Sequence, residues 1–116
     1  MTHSFEPDWP QSFFLLGFAQ FENGNINDAL HLTRQYKLQR PHDPAAHLLE
    51  GTIQLKLDDY PSATKSFSRY LSLNPLDTSA LSYLAVSYLG NQNYALAQET
   101  FEKYLGLINF RLLDWE

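Results

Sequence analysis

Residues 57–77 read LDDYPSATKSFSRYLSLNPLD. A polar turn, Asp58-Asp59, precedes Pro61, which stands in the first turn of a helical pattern where its missing N–H costs little. Apolar Ala63, Phe67 and Tyr70 are then spaced along one helix face, and Pro75 ends the pattern because the residue before a proline is pushed out of the helical region. Nearly the same punctuation stands earlier in ENGNINDALHLTRQYKLQRPHD (22–43) and later in LGNQNYALAQETFEKYLGL (89–107). An offset of 34 residues aligns three blocks without a gap: 10–43, 44–77 and 78–111.

The coincidences fall at positions that structure would use. Ala29, Ala63 and Ala97 match, as do Tyr36, Tyr70 and Tyr104, then Ile26, Tyr60 and Tyr94, then Gly17, Gly51 and Ala85. Pro10 matches Pro44, Pro41 matches Pro75, Asp43 matches Asp77, and Phe67 matches Phe101. Each block divides into two helical patterns around a polar turn, at Asn23-Gly24-Asn25, Asp58-Asp59 and Asn91-Gln92-Asn93. Six helices in three pairs are therefore expected. Asp8, Asp43 and Asp77 stand at N-cap positions, and Asp58 and Asp59 read as a cap before the fourth helix. A small residue in each helix lets its neighbour approach, and a nearby Phe or Tyr fills the space between layers.

These residues resemble the tetratricopeptide repeat, whose signature is an aromatic, a Leu-Gly pair, a Tyr, an Ala, a Phe, a second small residue and a Pro. Block one supplies Phe13, Leu16, Gly17, Ala29 and Pro41; block two Gly51, Tyr60, Ala63, Phe67 and Pro75; block three Leu81, Leu84, Ala85, Tyr88, Ala97 and Phe101. Three positions depart from it: Thr33 stands where Phe67 and Phe101 do, Glu50 replaces the Leu, and Asn109 replaces the closing Pro. The last predicts that the final helix runs on toward Leu112 and Leu113. The resemblance implies one all-α domain over 1–116, a right-handed superhelical stack with an N-terminal arm (1–9) and a short C-terminal tail (112–116).

In such a stack the first helices line a concave surface, which is where the family binds peptides. Carried over by position, the wall comprises Phe14, Phe18 and Phe21, then Leu48, Thr52 and Leu55, then Tyr83, Val86 and Leu89. Residue patterning converges on the same place. In SFFLLGFAQF (12–21) apolar residues surround the helix, so it expects burial on every side, which an outer helix of a three-repeat stack does not achieve alone. Phe14, Phe18 and Phe21 then form part of an exposed patch that another polypeptide covers, or that an N-terminal arm containing Phe5 and Trp9 covers from within. The implied ligand is an apolar or amphipathic helical segment of a protein client.

The family's other well-known ligand, an acidic C-terminal tail, needs a Lys, Arg and Asn clamp. Here Phe14, Phe18, Leu49, Ser79 and Tyr83 occupy the clamp positions, so that ligand is disfavoured. At the end of the chain, Phe110, Leu112, Leu113 and Trp115 either fold back as a cap or make a second contact. In size and layout the chain is similar to the small tetratricopeptide chaperones of bacterial type III secretion, which hold a subunit's amphipathic helix in the groove. The alternative is a scaffold that self-associates through its apolar surfaces, giving a homo-oligomer.

Composition narrows the remaining classes. A net charge of −5 and no Lys/Arg run disfavour nucleic acid, and no segment approaches the roughly 20 apolar residues of a membrane span. The absence of cysteine removes disulfides, thiolate nucleophiles and thiolate zinc sites, and favours a cytoplasmic location. His3, His31, His42 and His47 lack metal-ligand spacing, and Ser12, Ser66 and Ser82 lack a nucleophile-elbow setting. No catalytic residue, metal or cofactor is expected, and the function predicted is protein binding without catalysis.

Overall fold

A computed structural model gives the fold; it describes residues 9–114, with side chains described through residue 109. Among the described residues the elements are six helices: α1 (Trp9–Glu22), α2 (Ile26–Gln39), α3 (Pro44–Lys56), α4 (Tyr60–Leu73), α5 (Thr78–Gly90) and α6 (Tyr94–Asp114). Each odd helix packs most extensively on the even helix that follows it, each even helix packs on the next odd one, and α1 touches α3 as α3 touches α5. This is an all-α right-handed stack of three helix pairs, with the odd helices adjacent along one side.

The turn inside each pair is built the same way. The amide of Asn25 donates to the Gln20 carbonyl (2.8 Å) and that of Gly24 to Phe21 (3.1 Å); Asp59 to Gln54 (2.9 Å) with Asp58 to Leu55 (3.1 Å) repeats this, as does Asn93 to Tyr88 (2.9 Å) with Gln92 to Leu89 (3.1 Å). This paired closure of a helix end requires a left-handed residue at its centre. Gly24 (φ +88°), Asp58 (+58°) and Gln92 (+63°) meet the requirement at intervals of one repeat. Gly24 does so without a Cβ penalty, whereas Gln92 has no such freedom. Asp59 precedes α4 but its side chain makes no capping hydrogen bond, correcting the expectation of a carboxylate cap there. Its backbone (φ −89°, ψ 74°) is not in the extended region that Asp43 (ψ 114°) and Asp77 (ψ 105°) adopt at the starts of α3 and α5, and the neighbouring Asp58 carboxylate accepts from the Tyr60 hydroxyl (3.0 Å).

Between pairs the joint is different. Asp43 caps α3 by accepting from the Ala45 amide (2.9 Å), and Asp77 caps α5 by accepting from the Ser79 (3.0 Å) and Ala80 (3.3 Å) amides. Each of these carboxylates also accepts a hydroxyl from the preceding even helix, Tyr36 on Asp43 and Tyr70 on Asp77. One carboxylate thereby satisfies a helix N-terminus and fixes it to its neighbour. Asp8 lies outside the described residues, so a matching cap on α1 is not described.

The core runs along the stack in two linked clusters, Ala29, Leu49 and Ile53, then Ala63, Phe67 and Leu84. Gly51 earns its place by proximity: a Cβ there would meet the Phe67 ring at 2.8 Å, whereas opposite Gly17 stands the smaller Thr33. Glu50, the departure from Leu, is buried between α3 and α2 and accepts from Lys37 (2.7 Å) and Arg34 (3.3 Å). A buried carboxylate is costly to leave unpaired, and the two cations of α2 pair it here. As its apolar circumference predicts, α1 is not buried all round within the stack: of its residues only Gly17 is buried, and Leu15, Leu16 and Phe18 are half-exposed.

At the other end α6 continues through residues 112–114, as the missing proline predicts, and does not turn back before Asp114. Residue 112 is therefore not the start of a separate tail. The side chains of Phe110, Leu112 and Leu113, along with Trp115, lie outside the described side chains, as do Phe5 and the rest of the arm through Asp8. Trp9, placed in the arm by the sequence, is the first residue of α1 and meets Phe13 edge to face at 5.8 Å.

Two measurements test these joints. Gln92→Gly is expected to raise stability by up to about 1 kcal/mol in urea unfolding, by removing the left-handed penalty. Tyr70→Phe is expected to lower it by about 1–2 kcal/mol near neutral pH. The hydrogen bond to Asp77, with burial and the carboxylate's charge, pushes the Tyr70 hydroxyl from 10.0 up to about 12. The neutral phenol is thus the form the fold stabilises. Its contribution is complete below pH 10 and is lost as pH rises toward 12, so the gap between parent and variant should close across that interval.

Candidate functional site

Along the side where the odd helices meet lies an open cavity of about 660 Å³. α1 contributes Phe14, Phe18, Phe21 and Glu22; α3 contributes Ala45, Leu48, Leu49, Thr52, Leu55 and Lys56; α5 contributes Tyr83. Among the described residues, none on the even helices lines it. Of the nine residues that the sequence assigns to the wall, seven meet here, and Val86 and Leu89 do not. Both lie exposed on α5, outside the cavity.

The residues that sequence reasoning left out of the wall are Glu22, Ala45, Leu49 and Lys56. A signal for most of them existed. Positions 45, 48, 49, 52, 55 and 56 form one continuous helical stripe at i, i+3, i+4, i+7, i+10 and i+11, and reading the full stripe on α3 recovers them.

The wall residues divide by how firmly the fold holds them. Phe14 and Phe21 pack on the cluster of Ala29, Leu49 and Ile53, and the Phe14 ring leans on buried Tyr36 with centroids 5.1 Å apart. Leu48 and Leu55 pack on the second cluster, that of Ala63, Phe67 and Leu84. Tyr83 is stacked on Phe67 of α4 at 5.5 Å, which steadies its ring while leaving it partly exposed. Phe18 is the least covered of the aromatic lining, about half-exposed.

Polar character is scarce. The Thr52 hydroxyl donates to the Leu49 carbonyl (2.8 Å) and is already used. Glu22 and Lys56 sit at the last residues of α1 and α3, one charge of each sign at the same end of the trough. Phe14, Phe18, Leu49 and Tyr83, four of the five positions where an acid-binding clamp carries its cations and amides, lie in the lining as hydrocarbon and phenol. The trough is therefore built to remove apolar surface from water, with little means of neutralising an anion.

Among the described residues no three His, Asp or Glu side chains gather into a set that would hold a metal. His31 and His42 are exposed and His3 lies outside the described residues. His47 is partly covered; burial, then the charge of Lys37, holds its imidazole below the ordinary range, against an opposing pull from Glu50. Its Nδ1 is buried without a hydrogen-bond partner, away from the trough lining. No described helix is long and apolar enough to cross a membrane.

The tetratricopeptide repeat family profile matches residues 48–110. No curated protein matches the sequence. Among solved structures the chain is similar to the first tetratricopeptide domain of Spaghetti (RPAP3) bound to the HSP90 peptide SRMEEVD, at 18% identity and TM-score 0.79, covering 84% of this chain and 78% of that one. It is similar to MamA, residues 41 to the end, from Desulfovibrio magneticus RS-1, at 22% identity and TM-score 0.82, covering 84% of this chain and 55% of that one. The TPR2B domain of yeast Sti1 in its pHsp70 complex is also similar, at 18% identity and TM-score 0.78, covering 84% and 78%. At these identities the likeness is one of fold.

Separating wall from core gives a stability prediction. Phe14→Ala is expected to cost about 1.5–3 kcal/mol because it opens a gap beside Tyr36, whereas Phe18→Ala should change stability by less than about 1 kcal/mol. Urea unfolding of the two variants checks the contrast.

Proposed function

The chain belongs to the tetratricopeptide repeat family, and on that premise we propose that it is a non-catalytic protein-binding module whose trough holds an amphipathic helical segment of a client. The observation that carries this reading is the lining itself. Phe14, Phe18, Phe21, Leu48, Leu55 and Tyr83 make one contiguous apolar surface over three helices, with Thr52 internally satisfied between them. Contiguous exposed apolar surface of this kind marks a site that another molecule covers, and a helix laying its apolar face into a groove is the recognition mode that fits its shape.

The magnitudes are sufficient. Burying a large apolar side chain is worth about 1.5–3 kcal/mol, so four or five such contacts, less the costs of ordering and association, leave an affinity of about 1 μM. Val86 and Leu89, exposed further along α5, extend the apolar surface for a longer segment. Peptide complexes of the Spaghetti and Sti1 domains support a binding role for this fold. The lining argues for a different ligand chemistry here. A chaperone that keeps an export subunit soluble in the cytoplasm, as the small chaperones of type III secretion do, is the form of the reading that an apolar trough without a clamp favours.

The test uses two probes. A synthetic amphipathic helical peptide with a leucine-rich face is expected to bind at about micromolar concentration, while SRMEEVD should show no measurable binding in calorimetry. Phe18→Glu should weaken the first interaction at least tenfold with helical circular dichroism unchanged. Preference for SRMEEVD, or indifference to Phe18→Glu, would refute the assignment.

A further inference from the structure

The joint between repeats occurs twice inside this chain, and its two halves stand unpaired at opposite ends. On α3 the residues Ala46, Leu49, Glu50 and Ile53 are buried; of their equivalents on α5, Ala80, Leu84 and Ser87 are buried, and Tyr83 is partly exposed but stacked on Phe67 of α4. One repeat earlier, on α1, the same registers carry Leu15, Leu16 and Ala19. Leu15 is 57% and Leu16 50% exposed, and Ala19 is exposed as well. The partner half shows the converse. On α4, Tyr60 covers Gly90, Phe67 stacks on Tyr83, and Leu71 packs on the cluster containing Leu84. Their equivalents on α6 are Tyr94, Phe101 and Leu105, of which Tyr94 is 62% and Leu105 54% exposed.

We propose that copies of this chain assemble head to tail, with α6 of one copy packing on α1 of the next as α2 packs on α3 and α4 on α5. Matching residue types identify the occupant. In the first joint Lys37 meets Glu50, a charge on a charge. In the second, Leu71 packs on the cluster of Leu84, apolar on apolar. The same registers across the open ends are Leu105 and Leu16, again apolar on apolar, and Phe101 would face Leu15 where Phe67 faces Tyr83. Such a joint is heterologous and does not close on itself, so it adds copies in the sense of the superhelix already present. It leaves the trough free, because Leu15, Leu16, Tyr94, Phe101 and Leu105 lie outside its lining.

The chain has no cysteine, which makes the test clean. Leu16→Cys and Leu105→Cys are prepared separately, mixed and oxidised; the expected product joins one of each, in large excess over either symmetric dimer. In light scattering the full chain should gain mass steadily with concentration. Leu16→Glu should abolish that gain, and the double variant Leu16→Glu with Leu105→Lys should restore it in a salt-sensitive form, by rebuilding the Lys37–Glu50 pair between copies. Phe18→Glu should leave it unchanged. A monomer at every concentration, symmetric crosslinks, loss of assembly with Phe18→Glu, or assembly gained only when residues 2–8 are deleted would each overturn the proposal. The last result would assign the α1 face to the chain's own N-terminal segment.

Discussion

Packing of each pair's second helix against the first helix of the next pair is the contact on which the rest of the molecule depends. Helices of 13 or 14 residues are marginal by themselves, and a single helix pair cannot bury both of its apolar sides. Stacking resolves this through Ala29, Ala63 and Ala97, whose small side chains permit close approach, and through Phe67, which reaches both Gly51 within its pair and Tyr83 across the joint. The Tyr36–Asp43 and Tyr70–Asp77 hydrogen bonds fix the angle at which one pair meets the next. Where leucine is replaced by Glu50, two cations from α2 restore the balance.

The same constraint creates the trough. Since the joints are made between even and odd helices, the odd helices are left with faces that stacking does not use, and those faces align. Phe14 and Leu48 serve both purposes, with part of each ring or chain on a core cluster and part in the cavity lining. A wall anchored in this way is preorganised: the side chains that would meet a ligand have already lost much of their rotamer freedom. Glu22 and Lys56, one charge of each sign, leave no net charge in the lining, so the chemistry on offer is burial and shape.

Most of the architecture was legible because repetition multiplies weak signals. One proline or one polar turn is poor evidence of a helix boundary; polar turns at three equally spaced places, with prolines matched between the first two blocks, are strong evidence. The site was legible in outline for the same reason, since Phe14, Phe18 and Phe21 lie at fixed places in a repeat. Where reading failed, the cause was tertiary. Asp59 has the residue type of a cap, yet the turn after α3 leaves its backbone outside the extended conformation in which Asp43 and Asp77 cap their helices. Leu49 was legible only as a position lacking a clamp residue, and its second identity as trough floor depends on the approach of α1 to α3. The patterning of α1 pointed to an uncovered face at Phe14, Phe18 and Phe21 and did not single out Leu15 and Leu16, which are more exposed than Phe14 and Phe21 because no described helix packs on that side.

The amino-acid sequence alone determined the period, the helix pairs and their punctuation, because turns, caps and helix faces are set by residues within a few positions of one another. Tertiary structure decided which apolar side chains became core and which became surface, separating Phe14 from Phe18 and leaving Val86 and Leu89 outside the cavity. That division depends on distances between residues tens of positions apart, such as Phe14 to Tyr36 and Phe67 to Tyr83. The twist that sets those distances accumulates from many small packing contacts, and no local stretch of chain encodes it.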